Sequence, residues 1–136
     1  MRYLLDVNAL LAFGFSEHVF HEQLVQWVEG LVSRGEDELA TCPITELGFV
    51  RILAQAPQYG LTVNDAGVLL RRMKTEGRLG VTFLVDDQDA SGLPGWVKTP
   101  KQITDGHLIQ LAKAHRAVLA TLDRGIPGAF VIPEKT

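Results

Sequence analysis

Arg2-Tyr3-Leu4-Leu5-Asp6-Val7-Asn8-Ala9-Leu10-Leu11 decides how the rest of the chain is read. An apolar run stops on a carboxylate, and a second apolar run resumes shortly after it. Tyr3, Leu4 and Leu5 show no polar alternation, as in a strand buried on both faces, although so short a run also suits a helix. On the strand reading, Asp6 falls at the strand's carboxyl end, where open α/β sheets hold their ligands. Asn8 then caps a helix begun by Ala9-Leu10-Leu11-Ala12. Taken alone, Asp6 is as readily a turn residue as a functional one. What favours function is that acids recur in comparable positions further along.

Composition narrows the possibilities. The 136 residues suffice for one core, so a single domain over residues 1–136 is expected. A hydrophobic content of 46% excludes a disordered chain. No apolar run approaches the ~20 residues of a membrane span, and the first residues lack the basic leader and cleavage site of a secretory signal. Cys42 is the one cysteine, which excludes internal disulfides and cysteine-rich zinc sites. A soluble, cytoplasmic protein is expected. The net charge of −3 argues against wholesale coating of nucleic acid but leaves room for local patches. Basic residues gather at Arg71, Arg72, Lys74 and Arg78, and again at Lys98 and Lys101; a solvated helix face is the simpler account of such runs.

Working outward, residues 17–33 carry Phe20, Leu24, Trp27, Val28 and Leu31 at helical spacing, with Ser16 as cap and Arg34-Gly35 as stop. A strand ends in Leu39-Ala40-Thr41. Pro43 opens a helix that turns Ile44, Leu47, Val50 and Leu53 inward. A further helix starts at Asn64-Asp65 with Ala66, Leu69, Leu70 and Met73 on one face. Val81 to Val85 is the strand with the strongest β composition. Gly92, Pro94, Gly95 and Pro100 break any pattern between Asp86 and Gln102. Thr104-Asp105 opens a helix bearing Leu108, Leu111 and Ala112. Ala117 to Ala120 and Ala129 to Ile132 are short strands. Strands alternating with helices imply a mostly parallel sheet with helices on both faces.

In such a sheet, strand ends and the starts of the following helices share one edge. Asp6 and Asp123 follow strands; Glu46 and Asp105 lie in the first turns of helices. The topology therefore gathers four acids. Asp105 alone is accounted for by the helix dipole beside a Thr104 cap, worth about 0.3–1 kcal/mol, and Asp123 alone by a turn in Leu-Asp-Arg-Gly. Glu46, between Ile44 and Leu47, has no such simple account. Like charges ~4 Å apart repel by ~4 kcal/mol at an effective dielectric near 20, so either protons or a cation must occupy the gap. Oxygen ligands without thiolate favour Mg²⁺ or Mn²⁺ over Zn²⁺. Such an ion activates water at a phosphate.

Asp6 in Leu-Asp-Val-Asn-Ala-Leu-Leu, Glu46 in Thr-Glu-Leu-Gly-Phe-Val-Arg, Asp105 in Thr-Asp-Gly-His-Leu and Asp123 in Ala-Thr-Leu-Asp resemble the PIN domain ribonucleases. Length and arrangement are most similar to the VapC toxins of type II toxin–antitoxin pairs, over essentially the whole chain. The resemblance implies a three-layer α/β fold with a mostly parallel five-stranded sheet. It implies Mg²⁺- or Mn²⁺-dependent endoribonuclease cleavage of structured RNA, a homodimer, and a VapB-type antitoxin whose tail plugs the acidic site. By that resemblance Asp6, Glu46, Asp105 and Asp123 are the catalytic, metal-binding acids, and Asn8 and Thr121 are their supporting polar neighbours. His107 is a core or supporting residue. Arg124 and Lys101 are candidates for holding the RNA backbone. Gly106 and the broken Asp86–Gln102 segment depart mildly from the pattern.

Other motifs fail. Asp87-Gln88-Asp89-Ala90-Ser91-Gly92 begins like a calcium loop, but Lys98 stands at its twelfth position. His21-Glu22 lacks the second histidine of a zinc protease, since Val25 stands there. Asn8 replaces the second acid an aspartyl phosphatase needs. Two other functions stay open at this point: a non-catalytic RNA- or protein-binding module and a small-molecule phosphohydrolase.

Overall fold

A computed structural model describes residues 1–136. Five strands, β1 (Arg2–Leu5), β2 (Glu38–Thr41), β3 (Val81–Phe83), β4 (Val118–Thr121) and β5 (Phe130–Val131), form one sheet in the order β3-β2-β1-β4-β5. Every neighbouring pair is parallel. Five helices accompany them: α1 (Val7–Gly14), α2 (His21–Arg34), α3 (Pro43–Gln55), α4 (Val63–Glu76) and α5 (Ile103–Ala114). No helix is long and apolar enough to cross a membrane.

Alternation along the strands builds two cores. Tyr3, Leu5, Leu39 and Ala120 point to the face covered by α1 to α4, where they meet Leu10, Leu24, Trp27, Phe49 and Leu70. Leu4, Ala40 and Leu119 point to the other face, against Leu108, Leu111 and Ala112 of α5. The three-layer arrangement is thus four helices to one. Central strands buried on both faces need no polar alternation, which is why the run at Tyr3-Leu4-Leu5 is uniformly apolar. Tyr3 meets Trp27 edge-on at 5.1 Å between ring centroids, and Phe130 of the edge strand packs on both rings.

Several local expectations are corrected. Asn8 does not cap α1; the cap is Asp6, whose Oδ1 accepts the Ala9 N–H at 2.8 Å. α2 begins at His21 rather than residue 17, because the preceding residues form a turn in which His18 Nδ1 accepts the Phe20 N–H. Its stop at Gly35 is as expected, with the glycine in the left-handed conformation at φ 72°. Leu47 does not point inward but is 67% exposed; Thr45, Gly48, Phe49 and Leu53 form the buried stripe of α3. The strand at Val81 is only three residues long and lies at the sheet edge, leaving Phe83 and Val85 exposed. Thr104 is an exposed residue inside α5, because the chain enters that helix through a 3-10 turn at Pro100–Gln102. There Gln102 Oε1 accepts the Lys98 and Thr99 N–H groups.

Candidate active site

The strand order places a topological switch between β1 and β4: chain segments leave β1 toward β2 on one side, and return to β4 on the other. Ligand crevices in open α/β sheets form at the carboxyl ends of such a strand pair. Asp6 leaves β1 there, and its N–H continues the ladder to Ala120 O at 3.1 Å. Thr121 ends β4 beside it, with Asp123 two residues on.

Asp6 is 7% exposed and fully engaged. While Oδ1 caps α1, Oδ2 accepts the buried Thr121 hydroxyl at 2.5 Å. Burial pushes its carboxyl above the ordinary range; the Thr121 and Ala9 bonds oppose this, and the charges of Asp105 and Asp123 add to it. Asp105, in the first turn of α5, is likewise raised, first by burial and then by Asp123, with no hydrogen bond opposing. Asp123 Oδ1 accepts the Gly125 N–H at 2.7 Å in a tight turn. These three acids therefore lie in each other's electrostatic field, as the topology required. They are near one another without being closed on a common point: no three His, Cys, Asp or Glu side chains are grouped closely enough to hold a metal ion as they stand.

Glu46 is held differently. Its Oε2 accepts the Thr41 hydroxyl at 2.6 Å and the Lys74 ammonium at 2.6 Å. The lysine comes from the last turn of α4, 28 positions away, because α4 folds back along α3. Of the four expected acids, then, three share uncompensated charge and one carries its own cation. His107 Nε2 is committed to Asp86 Oδ2 at 2.6 Å, which ties the segment after β3 to α5. Asn8 is exposed in the first turn of α1, next to Asp6. Lys101 is exposed just before α5, and Arg124 forms an exposed pair with Glu134.

Thr41 and Asp86 were not singled out in the sequence as neighbours of the acids, and Lys74, expected on a solvated helix face, is instead half-buried against Glu46. A signal for Thr41 was present. β2 and β4 flank β1, and both end in Leu-Ala-Thr, each with a buried threonine that donates to a site carboxylate. A cavity of about 810 Å³ lies between α5 and the turn around Gly92 and contains none of the four acids. Charge and topology, not cavity size, locate the site.

A family model described as PIN domain matches residues 3–129. The chain belongs to the PIN domain family. Among curated relatives, Ribonuclease VapC44 of Mycobacterium tuberculosis is 37% identical over 138 residues, covering 95% of this chain and 94% of that one. Ribonuclease VapC38 of the same species is 34% identical over 130 residues, covering 90% and 86%. A solved structure, VapBC2 from Rickettsia felis bound to a DNA fragment from their promoter, matches with a TM-score of 0.61 and covers 96% of both chains. At 14% identity that likeness speaks for the PIN fold alone.

Proposed function

We propose that this PIN domain protein is a Mg²⁺- or Mn²⁺-dependent endoribonuclease, the toxin of a VapBC-type pair. The observation that carries the reading is the uncompensated trio of Asp6, Asp105 and Asp123 at the β1–β4 switch point. An all-oxygen, anionic donor set suits a hard divalent cation. The ribonuclease names of relatives at 30–37% identity support the same conclusion.

In this reading Asp6, Asp105 and Asp123 would hold the cation, with Glu46 completing the site. When bound, the ion lowers the pKa of water and offsets charge at the phosphate. The chain's own residues supply positioning. Thr121 and the start of α1 fix Asp6. Thr41 and Lys74 fix Glu46. Asn8 is the neighbour that orients water or ion beside Asp6. His107 is already committed to Asp86, so no histidine base is assigned. Exposed Arg71, Arg72, Arg78 and Lys101 would carry the flanking RNA backbone. Arg124 can exchange its exposed Glu134 partner for a phosphate at little cost. A VapB-type antitoxin would place a cation in the same acidic site, and the toxin would act as a homodimer.

Inducible expression of wild type and Asp6→Asn, followed by sequencing of RNA 5′ ends, tests the proposal. Growth arrest with new RNA ends, absent in the variant, supports the nuclease and names its target. Folded proteins that leave RNA intact in both cases would instead favour a binding module.

A further inference from the structure

We propose that Lys74 is a positioning residue of the acidic site: it neutralises Glu46 and restricts it to offering one carboxylate oxygen. For its activity readout this rests on the nuclease reading above.

The geometry is specific. Both donors, the Thr41 hydroxyl and the Lys74 ammonium, converge on Oε2 at 2.6 Å, so Oε1 is the oxygen left for a cation or its water. The Glu46 and Lys74 side chains are 19% and 27% exposed, so solvent screens the pair only partly. Lys74 is also held from a third side, with its ammonium 5.4 Å from the centroid of the Phe83 ring at the end of β3. α3, α4 and the edge strand thus fix one charge together. The consequence is electrostatic as well as steric. Burial, joined by the charge of Asp123, raises the Asp6 and Asp105 carboxyls, whereas Lys74 balances the charge of Glu46. With Lys74 in place Glu46 brings an oriented oxygen to the site with its charge already balanced.

A lysine in the last turn of α4 also suits the helix dipole, and a purely structural lysine would act through stability alone. Purified wild type, Lys74→Gln, Lys74→Arg, Glu46→Gln and the Lys74→Gln/Glu46→Gln double variant separate the two roles. Mn²⁺ calorimetry reads the charge of the site without any cleavage. Lys74→Gln should bind Mn²⁺ about threefold more tightly, the size expected of one partly screened pair. It should also lower kcat roughly tenfold to a hundredfold, with little change in KM, through loss of Glu46 orientation. Lys74→Arg should restore most of both, and Lys74→Gln should cost no further kcat in the Glu46→Gln background, where no carboxylate is left to orient. Unchanged Mn²⁺ affinity in Lys74→Gln, or an equal loss of kcat with and without the Glu46 carboxylate, overturns the proposal. A raised KM at unchanged kcat overturns it too and assigns Lys74 to RNA. If wild type cleaves no RNA, the nuclease reading fails separately, and the Mn²⁺ comparison still decides whether Lys74 sets the charge of the site.

Discussion

The Thr121 hydroxyl donates to Asp6 Oδ2 at 2.5 Å and accepts the Asp123 N–H at 3.0 Å. One buried side chain at the end of β4 thereby joins two of the acids, across 115 positions of sequence in the case of Asp6. Thr121→Val keeps the shape and removes both bonds. It leaves a buried carboxylate oxygen and a peptide N–H unpaired, at a cost of about 1–3 kcal/mol. The Thr121 bond is also the strongest influence holding the Asp6 carboxyl down. Without it the carboxyl rises further, so the ionised form needed at the site is reached only at higher pH. The acid limb of a pH–rate profile should move upward in Thr121→Val and stay near wild type in Thr121→Ser.

Asp105→Asn should stabilise the metal-free protein at neutral pH. Asp105 has no hydrogen bond to lose, and burial and the Asp123 charge raise its carboxyl above the ordinary value of 3.8. For a raised carboxyl the folded state binds the proton more tightly than the unfolded chain does. That contribution is complete below 3.8 and is lost as pH rises through the folded value. The variant's advantage should therefore be absent in acid and present at pH 7, at about 0.5 kcal/mol for a partly exposed charge. Thermal unfolding in EDTA at the two pH values checks the sign. Saturating Mg²⁺ should reverse the order, since ligand at 100 times Kd stabilises wild type by about 2.7 kcal/mol and the variant by less.

The fold and three of the acids were legible because each rests on local position plus one rule of topology. Asp6 ends a strand, Asp105 begins a helix and Asp123 follows a strand, and a parallel sheet brings such points to one edge. Glu46 stood out in the sequence as a candidate, but its partner did not. Lys74 reaches it only through the antiparallel register of α3 and α4, which depends on the turn at Pro57–Tyr59 between them. The phase of α3 was misread for a related reason. Phe49 and Gly48 face the core, with Gly48 close against Val7, and this rotates Leu47 outward. Composition overstated β3, since β-branched and aromatic residues suit an exposed edge as readily as a centre. The Thr-Asp pair at the start of α5 reads as a cap, yet the chain runs into α5 directly from a 3-10 turn, where the Ile103 N–H bonds Pro100 O, and no side chain caps the helix.

Gly106, between Asp105 and His107, has a packing reason. A Cβ there would stand 2.3 Å from Val97 Cγ2 and 3.4 Å from Pro94 Cδ. The irregular segment before α5 lies directly on this glycine. Alanine would gain up to about 1 kcal/mol of helix propensity. Overpacking against a β-branched side chain with little freedom to turn costs about 1–3 kcal/mol. Gly106→Ala should therefore be destabilised on balance in chemical denaturation. It should also lose cleavage activity at temperatures where it remains folded, because the first turn of α5 carries Asp105. A double variant with Val97→Ala, which removes the clashing atom, should recover both.

Arg124 pairs with Glu134 at 2.7 Å, with both side chains more than 70% exposed. A pair in that setting contributes little to stability, typically under about 1 kcal/mol. Arg124→Ala should therefore unfold within about 0.5 kcal/mol of wild type. Its position one residue after Asp123 suits a contact to RNA phosphate. Removing one such contact weakens binding without altering the chemical step. KM for RNA should rise with kcat preserved, and the slope of log affinity against log salt should fall by about 0.7 for a single-stranded substrate. Glu134→Ala provides the opposite control: it frees the guanidinium, so affinity at low salt should rise. Lys101→Ala should behave like Arg124→Ala if both flank the scissile phosphate. An unchanged salt slope in both variants would move the RNA path to Arg71, Arg72 and Arg78.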